Sequence, residues 1–396
     1  MITMNTAPSE QSDTMLAGWL AEQDQAGLLR RRRRIRRRSG TRVEVDGRSL
    51  LNFCSNDYLG LADAACTRQG ALAAVQQWGS GAGASRLISG DLDLVRRLER
   101  ELARWKGTAD ALVFASGYMA NLGAITSLVG DGDMVLLDRL AHASLIDGAR
   151  RSGATLRVFA HNDVDALDRT LARRPRSRVL VVTESVFSMD GDRAPLAELC
   201  RCCAAHNAWL LVDEAHALGV FGNGRGCLAE QNLTDQATVI VGTLSKALGS
   251  QGGFVAGSRR MVECLVNRAR SFIYSTGIAP AAAGAALAAV RELQHDPGRV
   301  RQLWERARVL RSGLEGLPVS GEGPICPVMT GSSTRALALA EYLFDAGYLV
   351  PAIRPPTVPR GGARLRVTVS AAHTETEVRE FAQTVQRAWD SLKRIA

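Results

Sequence analysis

The chain has 396 residues, of which 46% are hydrophobic and 22% are charged. This length and composition predict a globular protein with two lobes, and they exclude a small disulfide-bonded domain and a disordered chain. The formal net charge is +9, but the run from Arg30 to Arg38 holds eight arginines, and subtracting them leaves +1 for the rest. The body of the protein is therefore nearly neutral, and nucleic acid is not an expected partner.

The eight cysteines are scattered along a chain that is too long to need disulfide bonds, so we expect reduced thiols. One cluster has spacing that suggests a metal: Cys200, Cys202, Cys203 and His206. It lies in an amphipathic helical pattern, and adjacent thiols cannot easily face one ion, so we interpret these as core cysteines and expect no metal site. The start of the chain shows no apolar signal segment, and the longest low-polarity run is too short to span a bilayer, so a cytoplasmic protein is expected.

Apolar residues at near-helical spacing predict a helix from about Thr14 to Arg38, which the arginine run closes. The run could be a solvated helix face, a nucleic-acid patch or an anion-binding pocket mouth, and the lack of nearby aromatic residues disfavours the second. Short alternating strands with a turn at Asp46-Gly47 follow. A glycine- and serine-rich stretch around Arg86 then predicts a loop that closely approaches another group.

From Leu92 onward, helical patterns alternate with short strands that are apolar throughout. This pattern predicts a mainly parallel sheet covered by helices on both faces, and hence an α/β fold. We expect three parts: an N-terminal helical segment with the arginine run over residues 1–48, a large domain over 49–295, and a small α+β C-terminal domain over 296–396. Ligands bind at the carboxyl ends of the strands in such sheets, so polar residues there are the candidates.

The stretch from Val239 to Val255 carries the strongest chemical signal. Its apolar strand leads to Lys246, where a partly desolvated amine can condense with an aldehyde while the following glycines admit a bulky cofactor. Asp213 ends another apolar strand, and a buried carboxylate there needs a cation such as a protonated pyridine nitrogen. Ser116-Gly117-Tyr118 opens a helix, whose free N–H groups can hold a phosphate.

Two further residues complete the predicted site. His142 follows an apolar strand and could stack on a flat heteroaromatic ring, while Arg366 suits recognition of a carboxylate. Arg364 lies on the same face of the same strand, so spacing alone does not choose between the two arginines. Each candidate also has a purely structural alternative, such as a turn lysine, a helix N-cap aspartate or a buried histidine. Together, however, they predict a single site.

Several segments resemble, in order and spacing, the motifs of the α-oxoamine synthases, which are pyridoxal-phosphate enzymes of fold type I. They are SNDYLGL, SGYMAN, HASLIDG, VFSMDGD, VDEAHALG, GTLSKALG and the C-terminal tail segment. The resemblance runs from about Leu28 to the C-terminal helix. It implies a large lobe and a small C-terminal lobe, pyridoxal 5′-phosphate as the cofactor, and a homodimer with its active sites at the interface.

By position, the resemblance makes Lys246 the Schiff-base lysine and Asp213 the partner of the pyridine nitrogen. His142 matches the histidine stacked on the ring, and His216 matches the one at its phenolic oxygen. Cofactor contacts are also implied for Gly117, Tyr118, Ser188, Thr243 and, from the neighbouring subunit, Thr276. Substrate contacts are implied for Arg30, Thr357 and Arg366. The arginine run is longer than the family pattern needs, so Arg31 or Arg32 could take the place of Arg30.

Within the family, the segments Ala352–Arg366 and Phe159–Leu167 most resemble the member of the biotin pathway. They imply an acyltransferase that condenses L-alanine with a pimeloyl thioester, carried by coenzyme A or an acyl carrier protein, and releases carbon dioxide. One alternative is another α-oxoamine synthase that joins glycine or serine to a different acyl-CoA. A more distant alternative is a nucleic-acid-binding protein that uses the arginine run. The role of Glu214, beside Asp213, is left unassigned.

Overall fold

The computed structural model describes residues 8–25, 28–173 and 177–392. The strands are β1 Ile35–Ser39, β2 Arg42–Val45, β3 Arg48–Asn52, β4 Asp110–Phe114, β5 Met134–Asp138, β6 Thr155–Phe159, β7 Val179–Glu184, β8 Trp209–Asp213, β9 Val239–Thr243, β10 Gly253–Gly257, β11 Ile325–Gly331, β12 Tyr348–Leu349, β13 Ala352–Ile353 and β14 Ala363–Thr368. The helices are α1 Pro8–Gln25, α2 Ala65–Trp78, α3 Asp93–Lys106, α4 Gly117–Leu128, α5 Ala143–Arg151, α6 Val164–Ala172, α7 Leu196–Ala205, α8 Cys227–Glu230, α9 Arg259–Arg268, α10 Arg270–Ile273, α11 Pro280–His295, α12 Gly298–Gly313, α13 Ser333–Asp345 and α14 Glu375–Ser391.

The largest sheet has seven strands in the order β4-β10-β9-β8-β7-β5-β6. The pairs from β9 to β6 are parallel, whereas β10 runs antiparallel to both β4 and β9. Every residue of β5, β7 and β9 is buried, as expected for strands with helices on both faces. The predicted mainly parallel sheet is confirmed.

The two faces of this sheet pack into two separate hydrophobic cores. Alternation along β7 sends Val181 into one core and Leu180 and Val182 into the other. The first core includes apolar residues of α3, α7 and α11, and the second includes residues of α4, α5 and α9. The central strands of the sheet are therefore covered on both faces, and their ends are open to a ligand, while the edge strand β6 is largely exposed.

The N-terminal segment differs from the predicted helix. α1 ends at Gln25, residues 26–27 lie outside the described part, and the arginine run forms irregular backbone followed by β1. β1 pairs antiparallel with β2, and all its residues are exposed. Like charges three or four residues apart repel on a helix, whereas an exposed edge strand separates them on alternate sides. The prediction of a helix that continues to Arg38 is therefore wrong.

Two other predicted elements, the hairpin and the C-terminal α+β unit, are present outside the large sheet. β2 and β3 form a hairpin whose turn residues Asp46 and Gly47 both have positive φ, as a tight hairpin turn requires. A second α+β unit contains the sheet β11-β14-β13 together with α12, α13 and α14. The domain boundaries at 48/49 and 295/296 stay predictions. In the described part of the chain, no helix is both long and apolar enough to cross a membrane.

Candidate active site

Lys246 lies in a tight loop that follows β9. The loop is closed by backbone hydrogen bonds from Leu244 to Gly252 and from Ser250 to Leu244. Gly249 has a φ of 63°, and a Cβ atom there would come within 2.3 Å of the backbone nitrogen of Ala62. Only glycine fits this position, so the glycines that mark this loop in the sequence serve close packing beside the lysine.

The ε-amine of Lys246 begins a chain of buried polar contacts. Its Nζ lies 2.8 Å from Nε2 of His216, and Nδ1 of His216 lies 2.7 Å from the Tyr58 hydroxyl. Burial, assisted by the positive charges of Lys246 and Arg366, lowers the pKa of His216 well below its usual value, so the imidazole is neutral. Burial also lowers the pKa of Lys246 to about 8. The lysine is thus poised to exchange a proton near neutral pH.

Asp213 and Glu184 place two carboxylates side by side at the ends of β8 and β7, where they are paired in register. Asp213 accepts hydrogen bonds from Asn121 Nδ2 at 2.7 Å and from the Ala215 N–H at 2.8 Å. Burial and the charge of Asp213 raise the pKa of Glu184 to about 8. We call Lys246, His216, Asp213 and Glu184 the central cluster, and its paired carboxylates favour a cation beside them.

His142 is the N-cap residue of α5. Its backbone N–H donates to Glu184 at 2.7 Å, and its Nδ1 lies 2.8 Å from the hydroxyl of Ser144. Burial lowers the pKa of His142, an effect that Asp213 opposes and Lys246 reinforces. A neutral imidazole that is fixed at one edge while its side chain stays accessible can stack on a flat ring.

The start of α4 lies against the central cluster. A Cβ atom on Gly253 would come within 2.5 Å of the Gly117 Cα, so backbone packs on backbone here. One on Gly117 would meet Thr243, whose hydroxyl lies 2.6 Å from that of Ser245. Free helix N–H groups and two hydroxyls form an arrangement suited to phosphate. Tyr118, in contrast, is half-exposed and donates its hydroxyl to Asp147.

The structure separates the two arginines that the sequence left open. Arg364 pairs with Asp190 and donates to the Met189 carbonyl at 3.1 Å. Arg366 donates to the Ser188 carbonyl at 2.6 Å and to Asn56 Oδ1 at 3.1 Å. The charge of Arg366, and not that of Arg364, lowers the pKa of Lys246 and of His216, which places Arg366 beside the central cluster.

A cavity of about 1210 Å³ lies between the arginine run and the C-terminal unit. Arg30, Arg31, Arg33 and Thr357 line it, together with Cys54. The charges of Arg33 and Arg366 both act on the Cys54 thiol, so this residue lies between the cavity and Arg366. The run therefore forms one wall of a pocket, which agrees with the anion-binding interpretation.

Two of the predicted cofactor-binding residues, Ser188 and Thr276, have side chains that make no hydrogen bond to the central cluster within the described residues. Ser188 contributes its carbonyl to Arg366, and in the described part of the chain no hydrogen bond of its hydroxyl is recorded. Thr276 is exposed and forms an isolated bridge with Ser85. No hydrogen bond joins Thr276 to the central cluster within the described residues, and its assignment to a neighbouring subunit stays a prediction.

Sequence reasoning missed several residues that the fold brings to the site. Glu184 ends an apolar strand, as Asp213 does, and that shared position was the available signal. Tyr58 lies inside the SNDYLGL segment, and its role emerges only from its contact with His216. Glu214 turns away from the site and forms a fully buried ion pair with Lys106, which gives this carboxylate a structural role.

The predicted core cysteines Cys200, Cys202 and Cys203 are all buried, as expected. The absence of a metal site remains a prediction, because one group of described residues has donor atoms within 4.8 Å of one another. It consists of Asp168, Cys202 and His206.

The donor set of the central cluster fits pyridoxal phosphate. A buried carboxylate, Asp213, is available for a protonated ring nitrogen, and Lys246 offers an amine for an aldehyde. Asn121 also has a buried Oδ1 with no partner among the described residues, so the pocket retains an unused polar atom next to Asp213. The start of α4, next to Thr243, has the helix N–H groups and hydroxyls that suit a phosphate.

Comparisons with known proteins agree with this geometry. Residues 48–385 match the family described as aminotransferase class I and II. The 8-amino-7-oxononanoate synthase of Alkalilimnicola ehrlichii is 48% identical over 370 residues, which span 92% of this chain and 95% of that enzyme. A high-resolution serine palmitoyltransferase structure with pyridoxal phosphate has a TM-score of 0.91 at 32% identity and covers 98% of this chain and 99% of its own. The 8-amino-7-oxononanoate synthase structure from Francisella tularensis has a TM-score of 0.74 at 26% identity and covers 86% and 98%.

Proposed function

The chain belongs to the class I and II aminotransferase family, whose cofactor here is pyridoxal 5′-phosphate, and on that premise we propose a specific reaction. In it, L-alanine and a pimeloyl thioester give 8-amino-7-oxononanoate, carbon dioxide and the free thiol. The observation that carries the proposal is the high identity to the A. ehrlichii synthase over nearly the whole of both chains. The site supports the reaction type, while this similarity supports the choice of substrates.

Lys246 is the proposed general base. Pyridoxal phosphate, when bound, supplies an aldehyde for amines and a protonated ring that withdraws electrons from the substrate Cα. With a pKa of about 8, the amine of Lys246 can take the α-proton of L-alanine near neutral pH and return it to the product. His216, held by Tyr58, orients that amine at 2.8 Å.

The other residues of the site orient the reactants. With the cofactor bound, Asp213 would hold the proton of the ring nitrogen, and His142 would stack on the ring. Arg366, already fixed by Ser188 and Asn56, would bind the carboxylate of L-alanine. Gly117, Thr243 and the start of α4 would hold the phosphate.

The acyl thioester enters through the arginine-lined cavity. Its volume of about 1210 Å³ exceeds what the amino acid requires, and Arg30 and Thr357 lie on its wall. The positive charge of this wall suits either the phosphates of coenzyme A or an acidic acyl carrier protein. Comparing the two carriers with wild-type protein and with an Arg30→Ala variant decides between them.

A second candidate reaction joins L-serine to a long-chain acyl thioester. It is favoured by the structural similarity, which is higher for serine palmitoyltransferase than for the F. tularensis synthase. We rank it below the pimeloyl reaction because its sequence identity is 32%, against 48% for the A. ehrlichii synthase.

A homodimer with shared active sites is also proposed. Leu87, Ile88 and Tyr274 are large apolar residues that flank the Ser85–Thr276 bridge, and all three are exposed in the single chain. Such a patch suits burial against a second copy. If Thr276 serves the partner's site, then mixing inactive Lys246→Ala and Thr276→Ala chains should restore activity in the mixed dimer. A cytoplasmic location, expected from the sequence, remains a prediction.

A competition assay tests the proposed reaction. Holoenzyme is incubated with equal amounts of L-alanine, glycine and L-serine, and with pimeloyl-CoA and palmitoyl-CoA together. We expect 8-amino-7-oxononanoate to be the main product identified by mass spectrometry, with stoichiometric carbon dioxide and free thiol. A dominant serine–palmitoyl product would instead support the second candidate.

A further inference from the structure

His161 bridges two carboxylates outside the site described above. It lies in the turn after β6, where its Nδ1 is 2.9 Å from Asp138 Oδ1 and its Nε2 is 2.7 Å from Asp192 Oδ2. Its ring also packs edge-on against Phe187, with the ring centroids 4.4 Å apart. Asp138 ends β5, and Asp192 lies in the loop that follows β7, so one imidazole joins two separate segments.

The geometry favours a charged imidazole. A neutral ring donates from only one nitrogen, whereas a ring with a proton on each nitrogen can donate to both carboxylates that it faces. Burial alone would lower the pKa of His161, but the hydrogen bonds and charges of Asp138 and Asp192 raise it to about 10. Those two carboxylates are the charged groups that face it, and Oδ1 of Asp192 is buried without a partner among the described residues. Asp192 Oδ2 also accepts a hydrogen bond from Asn162 Nδ2 at 3.1 Å, and the imidazolium is the cation paired with this carboxylate.

The segment that His161 holds continues directly to the site. We call residues 187–192 the SMDG loop; it is closed by hydrogen bonds from Phe187 N–H to the Asp192 carbonyl and from Gly191 N–H to the Phe187 carbonyl. At one end of this loop Asp192 contacts His161. At the other end the Ser188 carbonyl accepts the hydrogen bond from Arg366 at 2.6 Å.

The Asp138 end of the bridge leads to another part of the site, the segment that carries His142. Asp138 is the last residue of β5, and it accepts hydrogen bonds from the N–H groups of Leu140 and Asn162. His142 follows on the same segment and begins α5. His161 thus ties the segment that carries the ring-stacking histidine to the loop that aims the arginine.

We propose that His161 is a positioning residue for the amino-acid substrate: its imidazolium fixes the SMDG loop so that the Ser188 carbonyl holds Arg366 in place for the substrate carboxylate. The inference rests on the proposed role of Arg366. Within the described part of the chain, the side chain of His161 contacts Asp138, Asp192 and Phe187 and neither Arg366 nor Lys246, so it acts through the loop. If the bridge between His161 and Asp192 is weakened, the SMDG loop and the guanidinium of Arg366 can move, and the affinity for the amino acid falls.

The test compares wild-type holoenzyme with His161→Gln and with a matched control, His206→Gln. His206 is also paired with an aspartate, Asp168, at 2.8 Å, but it caps the C-terminal end of α7, away from the site. Binding is followed by the change in cofactor absorbance on titration with L-alanine, or with whichever amino acid the wild type binds. We expect the dissociation constant to rise roughly 5- to 30-fold in His161→Gln, as a coupling of this kind predicts, and to stay unchanged in the control.

The pH dependence separates positioning from a general structural role. Because His161 stays protonated until about pH 10, the affinity ratio of wild type to His161→Gln should be constant from pH 6 to 9. It should shrink as the pH rises through 10, because the wild type then loses the imidazolium that the variant lacks. The affinity of Asp192→Asn, which keeps the histidine and removes its loop partner, should fall like that of His161→Gln.

Two results would overturn the inference. One is equal amino-acid affinity in wild type and in both variants. The other is an NMR titration of the wild type in which His161 loses its proton near its ordinary pKa of about 6.5, a measurement that requires no variant to fold. Failure of the proposed function gives a different result from failure of this inference. If the wild type binds serine or glycine instead of L-alanine, the substrate assignment is wrong. The His161 variants are then compared with the wild type by using the amino acid that binds.

Discussion

The ε-amine of Lys246 lies 2.8 Å from Nε2 of His216, in a setting where the imidazole is neutral. A neutral Nε2 can accept a proton of the amine, which leaves Nδ1 to donate to the Tyr58 oxygen and the Tyr58 hydroxyl to donate to Asn56 at 3.3 Å. His216 therefore orients the amine of Lys246 without placing a positive charge beside it, and Arg366 is the cation that acts on the pKa of Lys246. This arrangement combines a lowered pKa with a fixed direction for proton transfer.

Replacing Glu184 by glutamine should lower the pKa of Lys246 further. Burial is the main cause of the lowered value, and the charge of Glu184 partly opposes it, so removing that charge favours the neutral amine. Cofactor-free wild type should react with pyridoxal phosphate faster as the pH rises towards about 8, because the free amine is the reactive form. In Glu184→Gln the same profile should shift to lower pH.

The exposed Glu198→Gln serves as the control for that experiment, because Glu198 lies on α7 in a surface pair with Arg201. Its profile should match that of the wild type. A shift of the Glu184→Gln profile towards higher pH would contradict the assignment of Glu184 to the surroundings of Lys246.

Arg366 and Arg364 should respond differently to truncation. Arg366→Met should raise the dissociation constant for L-alanine roughly 10- to 100-fold, in line with the loss of a hydrogen-bonded charge pair. Arg364→Met should mainly lower the melting temperature, because it removes the pair with Asp190. Isothermal titration with both variants makes the comparison, and a larger loss of binding in Arg364→Met would reverse the assignment.

The buried pair of Lys106 and Glu214 should matter for stability and not for chemistry. Both side chains are fully buried, and Glu214 also accepts the Leu228 N–H at 2.9 Å. Lys106→Met leaves a buried carboxylate without its cation and should lower the free energy of unfolding by about 3–5 kcal/mol. The exposed pair of Arg68 and Asp63 provides the control, since Arg68→Met should cost at most about 1 kcal/mol.

Urea unfolding followed by circular dichroism measures both of these variants. A Lys106→Met protein as stable as the control variant would show that the pair contributes little. Loss of cofactor binding without loss of stability would instead give Glu214 a direct role in the site.

Two of the residues that sequence reasoning found, Asp213 and Lys246, lie at or just after the end of an apolar strand. That position identified Asp213 and Lys246 as candidates, because a charged group at the end of a buried strand is costly unless it has a partner or a function. The same signal was present at Glu184 and was not used. Local patterns can therefore identify the edge of the sheet that carries the chemistry.

Other features depend on contacts that no local pattern reveals. Arg364 and Arg366 are two residues apart on one strand, and only the SMDG loop, far away in sequence, separates their roles. The arginine run reads as the end of a helix, yet its pairing with β2 makes part of it a strand. The link from His161 to Asp192 spans 31 residues, and its charge follows from two carboxylates that the fold brings together.

The most direct test of the central claim is to locate the cofactor on the chain. Holoenzyme is reduced with borohydride, digested, and mapped by mass spectrometry. The account predicts that the reduced cofactor is found on Lys246 and not on Lys106, and that Lys246→Ala retains none covalently and loses at least roughly 100-fold in condensation rate. Cofactor attached to another lysine, or a Lys246→Ala protein with wild-type activity, would contradict it.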